Sequence, residues 1–136
     1  PYSFRNTLND GIPSEIMPPI NLAQLQQEDE IEEAAGLPYR FGYPFKVELN
    51  TENSGVWTIL KNGDRVWRLM IECYDAKSIN LIYDKFWLPK DAVFYIYSLD
   101  KTEVLGGFTS TNNTGDKAQL KGFGTSFIHQ TKIILE

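Results

Sequence analysis

The sequence predicts an all-β protein, an antiparallel β-sandwich of Greek-key or jelly-roll type, preceded by an extended N-terminal arm that contains a short helix. From Phe45 onward, about seven segments alternate apolar and polar residues at intervals of roughly ten residues, which is typical of such sandwiches. Turn residues separate these segments, and no helical periodicity interrupts them, which argues against a parallel βαβ sheet. We therefore divide a single structural domain into an arm, residues 1–43, and a sandwich, residues 44–136.

The arm differs from the rest of the chain in composition. Its stretch DGIPSEIMPPINL holds three prolines and is expected to be extended or irregular. A short helix is predicted next, because Asn21 can cap its start and Gln24 stands three residues later, as in a capping box. Gly36 can end this helix at the position that favours a left-handed conformation. The segment GLPYRFGYPF then predicts an ordered turn into the first strand.

The predicted strands carry most of the apolar residues. In chain order they are FKVELN, GVWTILK, RVWRLMIECY, SINLIYDKFWL, AVFYIYS, TEVLGGFTSTNN and FIHQTKIILE. The third strand places four residues on one face, which we expect to be core: Trp67, Leu69, Ile71 and Cys73. In the sixth, Gly106-Gly107 predicts a bulge or a close backbone approach.

A hairpin is predicted around Asn62-Gly63, because this dipeptide suits a two-residue type I′ turn. Counting outward from that turn places Trp67 opposite Thr58, and Trp57 opposite Arg68. The two indoles then lie on opposite faces, Trp67 in the core and Trp57 under the Arg68 guanidinium in a cation–π contact. A one-residue bulge would reverse this inference.

The charge is unevenly distributed. The chain has 18 acidic and 13 basic residues, and one run, QEDEIEE, accounts for the net charge of −5. The basic residues form no cluster of the kind that binds nucleic acid, and no apolar run approaches the ~18–20 residues that a membrane span needs. The acidic run predicts either a solvated face or a docking segment for a basic partner: Glu28, Asp29, Glu30, Glu32 and Glu33.

Few residues of this chain could carry chemistry. His129 is the only histidine and Cys73 the only cysteine, too few for a zinc site, and no GxSxG or Gly-Asp-Ser-Gly nucleophile motif is present. We therefore predict a non-catalytic chain that needs no cofactor. The loop TNNTGDK offers the oxygen atoms of Asn112, Asn113 and Asp116 as candidate calcium ligands, although an ordinary turn explains the loop equally well.

The order of the segments carries a family resemblance. YRFGYPFKVEL, GVWTILKNGDRVWRLMIEC, AKSINLIYDKFWLPKDAVFYIYS, VLGGFTSTNN and TKIILE follow one another between Leu25 and Glu136. Together they resemble the N-terminal region of secreted bacterial trypsin-like serine endopeptidases of the lysyl endopeptidase type. This resemblance implies a secreted or periplasmic pro-domain or accessory domain that assists folding of the downstream protease domain or inhibits it in cis. The catalytic residues of such a protease lie in the downstream domain, and none carries over to this chain.

The residues leave other functions open. Under the pro-domain hypothesis, the acidic run of the arm contacts the protease domain. A carbohydrate- or cell-surface-binding sandwich is the main alternative, in which Trp57 and Trp87 would stack on sugar rings. A structural or adhesin module is a further alternative.

Overall fold

The computed structural model describes all residues, 1–136, and is built mainly of strands with a single α-helix. This confirms the sheet-rich fold that the sequence predicts. The helix is α1 (Leu22–Ala34), and the strands are β1 (Ser14–Ile16), β2 (Val56–Ile59), β3 (Arg65–Glu72), β4 (Ile82–Phe86), β5 (Phe94–Ser98), β6 (Val104–Phe108), β7 (Lys121–Gly124) and β8 (Lys132–Leu135). Short 3-10 turns occur at Tyr2–Phe4 and Ser110–Asn112. The single helix is neither long nor apolar enough to cross a membrane.

The strands form two sheets. The larger has the order β1-β3-β8-β5-β6, with β2 also pairing with β3, and the smaller contains β4 and β7. Every pairing among β2 to β8 is antiparallel, but β1 runs parallel to β3, so the expectation of exclusively antiparallel pairing is wrong there. The prolines around β1 keep this segment extended, which allows Met70 N–H to donate to the Pro13 carbonyl at 2.9 Å.

The hydrophobic core lies on one face of the large sheet. Its buried members are Met17, Leu69, Ile71, Ile79, Ile96, Ile128, Ile133 and Leu135. The face predicted for the third strand is confirmed, because Leu69 and Ile71 are buried here and Trp67 and Cys73 pack against them. Burial also raises the pKa of the Cys73 thiol, which keeps it protonated and weakly nucleophilic.

The N-terminal segment covers the other face of the large sheet. Arg68, only 5% exposed, projects there from β3 and donates from Nη2 to the Asp10 carbonyl at 2.9 Å. Phe4 packs edge-on against the ring of Tyr97, with 4.9 Å between ring centroids. Both faces of the sheet are therefore covered near its centre.

The predicted strand FKVELN does not form. Phe45 and Leu49 pack against the core, but Val47 is half exposed and the segment has no partner strand. The reason is that β2 and β1 already pair with successive stretches of β3. Conversely, β7 was not predicted, because its sequence KGFG contains two glycines and no β-branched residue.

The Gly106-Gly107 prediction is confirmed. The register of β5 and β6 shifts at this point, and a Cβ on Gly106 would lie 2.5 Å from the Phe94 carbonyl oxygen. Gly106 also has a φ of +108°, which side chains disfavour. The two glycines thus permit the bulge where β6 meets β5.

Candidate partner-binding arm

One long connection stands out because none of its residues is buried, although the residues at both of its ends pack in or against the core. We call residues 18–44 the helical arm. It begins after Met17, which is 8% exposed in the core, and ends before Phe45, which packs against that core. No residue between these anchors is buried, and none of α1 is buried. The helical arm is therefore held at both ends and contains no buried residue.

The ends of α1 are the ones that the sequence predicts. Asn21 Oδ1 accepts a hydrogen bond from the backbone N–H of Gln24 at 3.2 Å, as an N-cap does. At the other end, Gly36 has a φ of +76°, and the backbone N–H groups of Gly36 and Leu37 each donate to carbonyls of the last helical turn at 2.9 Å. This pair of bonds is the Schellman arrangement, which needs a left-handed residue at Gly36.

The acidic run of α1 is partly neutralised within the helical arm. Arg40 forms salt bridges to Asp29 at 2.9 Å, Glu28 at 3.3 Å and Glu32 at 3.6 Å. Loss of water around the guanidinium lowers its pKa, but these three carboxylates outweigh that effect, so the pKa of Arg40 is raised. Glu30 and Glu33 are exposed and take part in none of these bridges. Of the five predicted contact residues, these two thus keep a free carboxylate.

The return half of the helical arm presents aromatic side chains to solvent. Tyr39 is 72% exposed, Phe41 93% and Tyr43 48%, and we call these three residues the aromatic edge. The sequence predicts a turn in this stretch and does not indicate the exposure of these side chains. The local signal is weak, because Phe45 of the same LPYRFGYPF stretch packs against the core whereas Tyr39, Phe41 and Tyr43 stay exposed.

A groove of about 390 Å³ lies where the two halves of the helical arm meet. Its apolar lining comes from Pro18, Pro19, Ile20, Leu25, Tyr43 and Phe45, and Glu28 contributes a carboxylate. The rings of Tyr43 and Phe45 meet edge to face at 5.1 Å, which fixes one wall. Tyr43 belongs both to this groove and to the aromatic edge.

The hairpin register differs from the predicted one. Trp57 lies directly opposite Trp67, because Leu60 pairs with Asp64 through a backbone bond of 2.7 Å and leaves a three-residue loop. Only Gly63 in this loop has a positive φ, +89°, whereas a type I′ turn requires two such residues. The prediction of opposite faces is therefore wrong, and the two indoles share a face.

The indoles mainly hold the preceding turn in place. Trp57 and Trp67 donate from Nε1 to carbonyls within residues 51–54, at 2.9 and 2.8 Å. The cation over Trp57 is Arg65, 4.6 Å from the ring centroid, and not Arg68. Trp57 nevertheless remains 43% exposed.

Trp87 lies elsewhere, directly after β4 of the smaller sheet. Lys117 Nζ stands over its ring at 5.1 Å. Of the two tryptophans proposed for sugar stacking, Trp57 thus lies in β2 of the larger sheet and Trp87 just after β4 of the smaller one, and each carries a cation on its ring.

The candidate calcium ligands each form hydrogen bonds with backbone groups. Asn112 Oδ1 accepts from Thr109 N–H at 2.9 Å. Asn113 bonds both backbone groups of Leu88, at 2.8 and 2.9 Å. Asp116 Oδ1 accepts from the N–H groups two and three residues later, both at 2.9 Å. These side chains therefore stabilise turns.

His129 forms a surface pair with Glu103. Its Nδ1 lies 3.1 Å from Glu103 Oε2, its backbone N–H donates to both Glu103 oxygens, and its side chain is 72% exposed. These donors lower the pKa of Glu103. The pair ties the segment before β8 to the start of β6.

No family model matches the chain, and no solved structure matches it.

Proposed function

We propose that this chain is the non-catalytic pro-domain or accessory domain of a secreted bacterial trypsin-like serine protease precursor, of the lysyl endopeptidase type. It assists folding of the downstream protease domain or inhibits it, in the extracellular space or the periplasm. The ordered sequence resemblance from Leu25 to Glu136 suggests the family. The observation that carries the proposal is the helical arm, which combines exposed aromatic residues with free carboxylates. Three exposed aromatic side chains within five residues support a surface that contacts another protein.

We further infer that the two sheets stack as the layers of a β-sandwich. Aromatic residues support this, because Phe86 and Phe123 of the smaller sheet lie 6.2 and 5.1 Å, by ring centroids, from Phe94 and Phe108 of the larger one. Such a scaffold would hold the ends of the helical arm rigidly.

Inhibition in trans tests the proposed function. The purified 136-residue chain is added to a bacterial lysyl endopeptidase that is hydrolysing a lysyl p-nitroanilide. We expect saturable loss of activity, with the chain still intact on a gel at the end of the assay. An unrelated metalloprotease serves as the control and should keep its full rate. An unchanged lysyl endopeptidase rate in the presence of excess intact chain would contradict the proposal.

The competing proposal is a carbohydrate- or cell-surface-binding module. The observation in its favour is Trp57, which is 43% exposed beside Ile59, 79% exposed. Affinity electrophoresis in polysaccharide gels tests it, since sugar stacking predicts retardation that Trp57→Ala or Trp87→Ala abolishes. Equal mobility with and without polysaccharide would exclude sugar stacking for the glycans tried.

A further inference from the structure

We propose that the aromatic edge, with Phe41 as its anchor, inserts into an apolar cleft of the protease domain, and that Glu30 and Glu33 meet a basic rim around that cleft. This inference rests on the proposed function and specifies which surface makes the contact. It differs from the sequence-based hypothesis, in which all five acids of the run contact the partner.

We infer that Phe41 is the anchor because its side chain is so exposed. At 93% it is the most exposed of the large apolar residues, and it lies between Tyr39 and Tyr43, which are also exposed. Aromatic residues that become fully buried at the centre of an interface carry much of its binding energy. Tyr39 and Tyr43 would surround the anchor and help to exclude water from it.

The net charge of the helical arm indicates the kind of partner surface that it fits. The helical arm, residues 18–44, contains five carboxylates and one guanidinium, a net charge of −4. Because Arg40 already bridges three of the acids, Glu30 and Glu33 are the carboxylates available to an outside cation. A second copy of this chain would bring a like charge of −4 to the same symmetric patch, which disfavours self-association. The occupant is therefore a basic-rimmed protein surface.

Binding measurements with matched variants test this inference. The probe is a bacterial lysyl endopeptidase whose nucleophilic serine has been replaced by alanine, so that it cannot cleave the chain, and biolayer interferometry reports the rates. Phe41→Ala should raise Kd about 10- to 100-fold, mainly through faster dissociation. The control Ile82→Ala removes an apolar side chain that is 80% exposed on β4, and should leave Kd within about twofold.

The proposed contact of Glu30 and Glu33 with a basic rim is tested separately, with its own control variant. Glu30→Lys with Glu33→Lys should slow association about tenfold at low salt, and the difference from the wild type should disappear at high salt. Asp84→Lys with Asp91→Lys changes the net charge equally at exposed sites outside the helical arm and should have a much smaller effect.

The possible outcomes separate the two proposals. If the wild type binds and inhibits while Phe41→Ala binds equally well, the aromatic edge is not the contact, although the proposed function stands. If the wild type neither binds nor inhibits, both proposals fail. A stable dimer in sedimentation equilibrium that Phe41→Ala dissociates would show that the edge serves self-association, and would overturn the inference.

Discussion

The contact between Gly55 and the Trp67 indole gives a prediction whose size follows from the structure. Gly55 has a φ of +74°, and a Cβ there would lie 2.5 Å from Trp67 Nε1 and 2.7 Å from the Arg68 carbonyl oxygen. The left-handed backbone costs a non-glycine residue about 1–2 kcal/mol, and overpacking adds about 1–3 kcal/mol. Gly55→Ala should therefore lower the free energy of unfolding by about 2–5 kcal/mol.

Gly63→Ala is the matched control. Gly63 has a comparable φ, +89°, but no atom lies within 4 Å of its Cβ position, so only the backbone cost of about 1–2 kcal/mol applies. Urea unfolding followed by circular dichroism measures both variants, and each kcal/mol should also lower Tm by about 3–4 °C in a chain of this length. Equal losses in the two variants would show that the Trp67 indole does not occupy the space beside Gly55, which would refute the packing described for the hairpin.

Three further predictions concern the core, the helix and acid sensitivity. Leu69→Ala, at a site that is 1% exposed, should cost about 2–5 kcal/mol in urea unfolding, whereas Leu99→Ala, at a half-exposed site, should cost less than about 1 kcal/mol; similar costs would contradict the core assignment. Asn21→Ala removes the N-cap bond and should destabilise α1 locally by about 0.5–2 kcal/mol, seen as faster amide exchange in α1 with an unchanged rate in β3. The hydrogen bonds from His129 lower the pKa of Glu103 in the folded state. Their contribution to the free energy of unfolding is therefore complete when the pH is above 4.5, the ordinary pKa of this carboxyl group, and it is lost as the pH falls through the lowered pKa. The Tm gap between wild type and Glu103→Gln should accordingly narrow on acidification, and a constant gap would argue against this pair.

The features that the sequence predicted correctly depend on local physics. The cap at Asn21 and the termination at Gly36 are set by residues within one helical turn. The core face of β3 follows from alternation along a single strand, since one side must be buried wherever the sheet packs. The bulge at Gly106 is likewise indicated by the glycine pair itself, because glycine tolerates the φ of +108° found there.

Most of the features that it missed depend on distant parts of the chain, and the hairpin register is the local exception. The hairpin register moved by one residue because the loop contains three residues instead of two, and that slip reverses which indoles share a face. β1 joins β3 across more than fifty residues, and β7 forms because Phe123 meets Tyr83 of β4. Nothing in the local pattern specifies such partners. The exposure of the aromatic edge was missed for the same reason, since only the completed fold shows that no other element covers it.

Because the helical arm lies outside the core, the effect of Phe41→Ala on binding can be separated from its effect on stability. Phe41 is 93% exposed, and α1 beside it buries no residue, so the folded state gains almost nothing from the Phe41 side chain. The free energy of unfolding of Phe41→Ala should therefore lie within about 0.5 kcal/mol of the wild-type value, as is usual for surface substitutions. A loss of protease binding in this variant would then reflect the missing contact and not a damaged domain. If Phe41→Ala instead destabilised the chain by more than about 1 kcal/mol, the ring would have to pack within its own fold, and it could not serve as the exposed anchor.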